Sequence, residues 1–128
     1  MRPSPSRPPA VGGIEFAKEV ARIADANRSE DVVVLDLRSL SSVADFFVIG
    51  TGTSDRQMRA TIDEIAEYGE GVGQSRYGLS GYEAGTWVLA DYVDVVIHLF
   101  DARRRSYYDL ELLWGDAPRI EWRQSASA

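Results

Sequence analysis

The chain has 128 residues, enough for one domain with a real core, and 45% hydrophobic with 27% charged residues is the balance of a folded globule rather than of a disordered chain. It contains no cysteine, which excludes disulfides, thiolate metal sites and cysteine nucleophiles. A net charge of -6 argues against a surface that grips phosphates and favours a basic partner.

Residues 1–13, MRPSPSRPPAVGG, carry proline, serine and arginine without periodicity and are expected to be a disordered N-terminal tail. The domain is expected to span 14–120, with a polar C-terminal tail over 121–128. From Ile14, the positions Phe16, Ala17, Val20, Ile23, Ala24 and Asn27 recur at helical spacing, which predicts a first helix ending near Arg28. The β-branched run Val32-Val33-Val34-Leu35 reads as a central strand covered on both faces. A serine-rich loop leads to a second strand, Phe46-Phe47-Val48-Ile49, and so short a link suits an antiparallel return.

Ser54-Asp55-Arg56-Gln57 has the form of a capping box, opening a second helix that buries Met58, Ile62, Ile65 and Ala66 and stops at Gly69, Gly71 and Gly73. Residues 74–85 read as irregular, with at most a short edge strand. Residues 86–100, TWVLADYVDVVIHLF, read as a hairpin whose second arm is apolar at both parities except for His98. A last helix follows Asp101, with Tyr107, Leu110 and Trp114 on one side and Tyr108 and Leu112 on another. Apolar residues on two sides leave a partner surface or a helix tucked between sheet and loop as alternatives. No apolar run approaches the roughly 20 residues of a membrane span, and the N-terminus lacks the apolar block of a secretory signal, so the cytoplasm is the expected compartment. The element order is α-β-β-α-β-β-α.

Three features invite a catalytic reading. The turn Gly50-Thr51-Gly52-Thr53-Ser54 lies where backbone N–H groups hold phosphates, but it lacks the Walker lysine and the full dinucleotide spacing, so a capped strand-to-helix turn is preferred. Asp91 and Asp94 sit three apart, which places them on opposite faces of a strand unless a turn intervenes, and in a turn they serve the backbone rather than a metal. His98 is the only histidine and reads as a hydrogen-bonded core residue. Trp87 with Asp91 and Tyr92 is the combination that points to binding, because aromatic anchors beside carboxylates suit a basic partner.

Three blocks, VVLDLRSLSSVADFFVIGTGTSDRQ over 33–57, WVLADYVDVVIHLF over 87–100 and YYDLELLWGDAPRI over 107–120, resemble the ribosomal silencing factors, also called Iojap-related proteins. The resemblance implies an α/β domain with a mixed sheet flanked by helices, distantly nucleotidyltransferase-like and dimeric when free. It implies no catalysis and no cofactor. It also implies binding to the large ribosomal subunit through its universal protein fourteen, a basic protein, so that the small subunit cannot join. The partner-binding positions it implies are Trp87, Val88, Asp91 and Tyr92 on the strand, and Tyr108 and Glu111 in the last helix. Two departures stand out: Val93 replaces the usual glycine of the turn, and Ser80 replaces a common acid. The alternative is a metal-dependent nucleotidyltransferase or nucleotide-binding enzyme using residues 50–54 with Asp91 and Asp94. A dimerisation module acting through the last helix is a third.

Overall fold

The computed structural model describes residues 11–123. Helix α1 is Gly13–Ala26 and buries Phe16, Ala17, Val20, Ala21, Ile23 and Ala24 along one stripe. It stops two residues before Arg28, where φ turns positive at 73°. Asn27, the C-cap, donates its side-chain amide to the Ile23 carbonyl and to Glu64 Oε1, both at 2.9 Å, and so ties the helix end to its neighbour. Strand β1 (Glu30–Asp36) runs antiparallel to β2 (Phe46–Thr51), as the short link requires.

Helix α2 is Asp55–Gly71. Ser54 Oγ accepts from Gln57 N at 3.0 Å, while Gln57 Oε1 reaches back to Thr53 N at 3.1 Å, one residue earlier than in the standard box. The chain then forms β3 (Gly78–Ser80), β4 (Trp87–Asp91) and β5 (Val95–Phe100). The sheet order is β1-β2-β5-β4-β3, with β2 and β5 parallel and all other neighbours antiparallel. A mixed α/β sheet is therefore observed.

The expected order differs from the observed one in two places. The stretch 78–80 is an edge strand, and the last helix is split into α3 (Ala102–Tyr108) and α4 (Leu110–Leu113). The break is at Asp109, held at φ 47° and ψ 58°, which caps the C-terminus of one helix and the N-terminus of the next.

β1 is an edge strand, not a central one. Its apolar run is explained by what lies along its outer side. Asp36 N donates to the Pro118 carbonyl at 2.8 Å, Ile120 N donates to the Val34 carbonyl at 2.9 Å, and Trp122 Nε1 donates to the Val32 carbonyl at 3.1 Å. Trp122 is buried in the main core, so folded structure continues past 120. At the other end Val11 N donates to the Val72 carbonyl at 3.0 Å. The expected tails otherwise fall on 1–10 and 124–128, outside the described residues.

One face of the sheet, carrying Val34, Val48, Val88, Ala90, Ile97 and Leu99, packs under α1 and α2 as the main core. The other carries Leu35, Ile49 and Phe100, which with Leu110 and Trp114 form a smaller core beneath α3 and α4. These short helices cover only part of that second face. Among the described residues no helix is long and apolar enough to cross a membrane.

Candidate binding surface on the second sheet face

Side chains alternate along a strand, so Trp87, Leu89 and Asp91 point to the second face while Val88, Ala90 and Tyr92 point into the main core. The six implied binding residues are therefore not one surface. Val88 is fully buried and Tyr92 is 4% exposed, its ring 4.9 Å from that of Phe16. Burial pushes the Tyr92 phenol up, against the opposing charge of Arg76. Both are core residues. The strand positions Trp87, Val88, Asp91 and Tyr92 are thus shared between the two faces of the sheet.

Beyond β4 the chain turns on Asp91, whose Oδ1 accepts from Val93 N at 2.8 Å, and Tyr92 N donates to the Val95 carbonyl at 2.9 Å. Val93 sits at φ 73°, a left-handed conformation that explains why glycine suits this position. The Asp94 carbonyl accepts from both Asp45 N and Phe46 N, at 2.8 and 3.0 Å, and so starts β2 beside β5. Asp91 thus serves the hairpin turn through its carboxylate, as expected, whereas Asp94 serves the strand start through its main-chain carbonyl.

Trp87 is half-buried in an aromatic group on the second face. Its ring lies 4.8 Å from Phe100 and 4.6 Å from Tyr108, and its indole N–H donates to His98 Nδ1 at 3.2 Å. That bond fixes the imidazole: Nδ1 is the acceptor, so the proton of the neutral ring is on Nε2. Burial pushes His98 down to about 4, and the ring is neutral at neutral pH. His98 is thus the hydrogen-bonded core histidine expected, except that its Nε2, buried as well, has no acceptor among the described residues.

Beside His98 lies a cleft of about 380 Å³, walled by Val43, Ala44, Phe47, Leu89, Val96 and Trp114 with Asp91 and Ser41 at its edge. Trp114 also borders a second depression formed with Leu40, Leu112 and Leu113. Leu112 and Leu113 are 76% and 71% exposed, and Val43 and Tyr107 are more so, which makes one apolar surface running from α4 across the uncovered sheet. Tyr107 is not on the side of Leu110 and Trp114, because the break at Asp109 re-aims the second helix.

Tyr108 is accessible at the margin of this surface. Glu111 is engaged internally: Oε1 accepts from Arg105 Nε at 3.0 Å and Oε2 from Arg119 Nη2 at 3.5 Å. The Arg105 guanidinium, bonded directly, holds this carboxyl below its ordinary value. Arg105 also donates to Thr51 Oγ1 at 3.0 Å, so Glu111 pins α3, α4 and the C-terminal segment to the sheet.

Two N–H groups of the glycine turn before α2 are already committed: Gly52 N donates to the Phe100 carbonyl at 2.7 Å and Thr53 N to Gln57 Oε1 at 3.1 Å. A Cβ on Gly52 would clash with the side chain of the buried Met58, so this glycine is required by helix-to-strand packing. Sequence reasoning singled out Trp87, Asp91 and Tyr108 of the surface but missed Val43, Phe47, Leu89 and Leu113. Leu89 was within reach, since it shares the parity of Trp87 and Asp91.

Residues 12–128 match the protein family described as "Ribosomal silencing factor during starvation". A ribosomal silencing factor of Bacillus subtilis is 44% identical over 101 residues, spanning 79% of this chain and 86% of its own. One from Halalkalibacterium halodurans is 40% identical over 107 residues, spanning 84% and 92%. A crystal structure of a Chromobacterium violaceum protein superposes with a TM-score of 0.78 at 30% identity, covering 91% of this chain and 97% of that one. With the family match running through nearly the whole folded part, the chain belongs to the ribosomal silencing factor family.

Proposed function

We propose that this protein is a ribosome-binding repressor of translation. It docks on the large subunit at universal protein fourteen and blocks the small subunit by occupying the space between them, with no catalytic step. Family membership supports the ribosomal setting. The observation that carries the binding mode is the half-covered second sheet face, where Leu40, Val43, Phe47, Leu89, Leu112 and Leu113 form an apolar surface with Trp87 and Tyr108 at one margin and Asp91 at another. A chain of net charge -6 is repelled by rRNA phosphates and attracted to a basic ribosomal protein. A domain of this size has a radius of gyration of about 13 Å, enough to keep two touching surfaces apart by bulk. When free, the same apolar surface is covered by a second copy.

Co-sedimentation with isolated subunits tests this. Wild type is expected to travel with large subunits and to suppress formation of joined ribosomes. Leu112→Asp with Leu113→Asp, at side chains so exposed that the fold is preserved, is expected to do neither. Co-sedimentation with small subunits alone, or full suppression by the double variant, contradicts the proposal.

A further inference from the structure

We propose that a polar depression at the outer edge of β1 binds the phosphate group of a small phosphorylated ligand of nucleotide size. The inference does not rest on the ribosome-binding reading, and either can fail without the other. Three arginines line the depression, Arg105 of α3 with Arg119 and Arg123 of the C-terminal segment, against two carboxylates, Glu111 and Asp31. This is a local surplus of positive charge on a chain of net charge -6. The two C-terminal arginines are held in place by the fold. Arg119 stands opposite Leu35 in an isolated antiparallel bridge and so lies on the second face of the sheet. Arg123 follows at the same parity, while Ile120 and Trp122 turn to the main core. The Arg123 guanidinium lies 4.5 Å from the centroid of the Trp122 ring, which is itself buried and bonded to the Val32 carbonyl, so its position is set before a ligand arrives.

Their donors remain available. Among the described residues Arg123 has no hydrogen bond or ion pair, and the side chain of Arg119, 60% exposed, has one polar contact, at 3.5 Å to Glu111. Arg105 is spent on Glu111, Thr51 and the Glu30 carbonyl, and contributes its charge. A carboxylate is already present, since Glu111 offers one oxygen to Arg105 and the other to Arg119, and donors are still left over. What fits the remainder is a tetrahedral anion whose several oxygens engage two guanidinium groups at once, the geometry of phosphate. It draws Arg119 from a bond at the limit of hydrogen-bonding distance and leaves the Arg105–Glu111 pair intact, so α4 keeps its attachment. The depression has a volume of about 450 Å³, within the range of small-molecule sites, with Val32 and Val33 as its apolar wall. Asp31, at φ 50° where the pairing of β1 slips, has its carboxylate unbonded among the described residues and can accept from a hydroxyl, the group a sugar ring supplies. A polyanion is disfavoured: the Debye length at physiological salt is about 8 Å, and past that range it meets an acidic surface.

Calorimetric titration of the full chain with inorganic phosphate and with adenosine and guanosine 5′-diphosphates tests the site, with thermal melting as the fold check on variants. Wild type is expected to bind each probe saturably, the nucleotides more tightly than inorganic phosphate. Arg119→Ser and Arg123→Ser are each expected to weaken binding about tenfold, and Arg123→Lys to recover only part of the loss, because a point charge lacks the planar fork. Asp31→Asn separates the two parts of the ligand. It removes a nearby negative charge and should strengthen binding of inorganic phosphate, whereas the nucleotides gain less because a neutral amide is the weaker acceptor for a hydroxyl. A readout that needs no variant is NMR of the arginine side chains in wild type: Nε–H of Arg119 and Arg123 is expected to shift on titration, while that of the exposed Arg56 on α2 stays in place.

Absence of saturable binding by all three probes, or equal shifts at Arg56, overturns the inference and leaves the ribosomal reading untouched. Full affinity in folded Arg119→Ser and Arg123→Ser does the same. Nucleotides that bind no more tightly than inorganic phosphate contradict a ligand of nucleotide size. If an RNA oligonucleotide without terminal phosphates shifts the same arginines and binds more tightly than either nucleotide, the depression belongs to a nucleic-acid backbone and the proposal is equally wrong.

Discussion

His98 couples this surface to pH. Its folded value, near 4 through burial, lies below the roughly 6.5 of an exposed histidine, so between these values the unfolded chain binds more protons than the folded one. Stability is complete above about pH 6.5 and falls as pH drops towards 4, by about 2 kcal/mol between pH 7.5 and 5.0. Glu111 and Asp36, each held low by an arginine, keep their contribution above the ordinary carboxylate range and lose it as pH falls through that range towards their lower folded values, which leaves the window above pH 5 to His98. Urea unfolding at the two pH values should show this loss in wild type and a nearly flat response in His98→Asn. A wild type equally stable at both would refute the buried neutral imidazole.

Val93 is the second residue with a measurable consequence. A β-branched side chain at φ 73° is strained by about 1–2 kcal/mol, part of which glycine recovers after its own entropy cost of about 0.5–1 kcal/mol. Val93→Gly should therefore raise the melting temperature by a few degrees; a decrease would mean that the turn tolerates valine without strain. This site was legible beforehand as a departure from the family pattern, though only the backbone shows what the departure costs. The division of Trp87 and Asp91 from Val88 and Tyr92 was also legible in principle, since strand parity dictates it. The acceptor-less Nε2 of His98 was not, because it depends on which ring nitrogen Trp87 reaches across the sheet.

At the level of elements, the strands and two long helices were readable because their periodicities are strong: β2 and β5 are apolar at both parities, and α1 and α2 each bury one stripe. The position of β1 was not readable. An unbroken apolar run specifies cover on both faces and says nothing about which strand lies beside it. Here the C-terminal segment completes the edge, and Trp122 is its fastener. Trp122→Ala should cost about 3–5 kcal/mol in urea unfolding and should speed amide exchange in β1 more than in β5. Uniform exchange changes would place Trp122 in the general core rather than in a local strap. The break between α3 and α4 escaped sequence reasoning for a related reason: aspartate tolerates the left-handed conformation without the glycine or proline that usually announces a stop.

For the whole molecule, charge decides between partners that family membership alone leaves open. An acidic chain meeting a basic protein and an acidic chain meeting RNA through a few arginines both bind more weakly as salt rises, so salt dependence by itself does not separate them. The sign of the response to removing acids does. At a protein partner, Asp91→Asn deletes an attraction at the edge of the cleft and should slow association with large subunits severalfold at low salt, with the difference shrinking as ionic strength increases. At rRNA the same substitution deletes a repulsion and should speed association. Glu67→Gln, on the exposed side of α2 under the opposite face of the sheet, is the control for net charge, since it changes the total by the same amount away from the proposed surface. Stopped-flow association of labelled protein with large subunits, measured at several salt concentrations, distinguishes the outcomes. A slower Asp91→Asn beside a near-normal Glu67→Gln localises a basic partner at the second face, whereas faster association by both variants would assign the contact to phosphate.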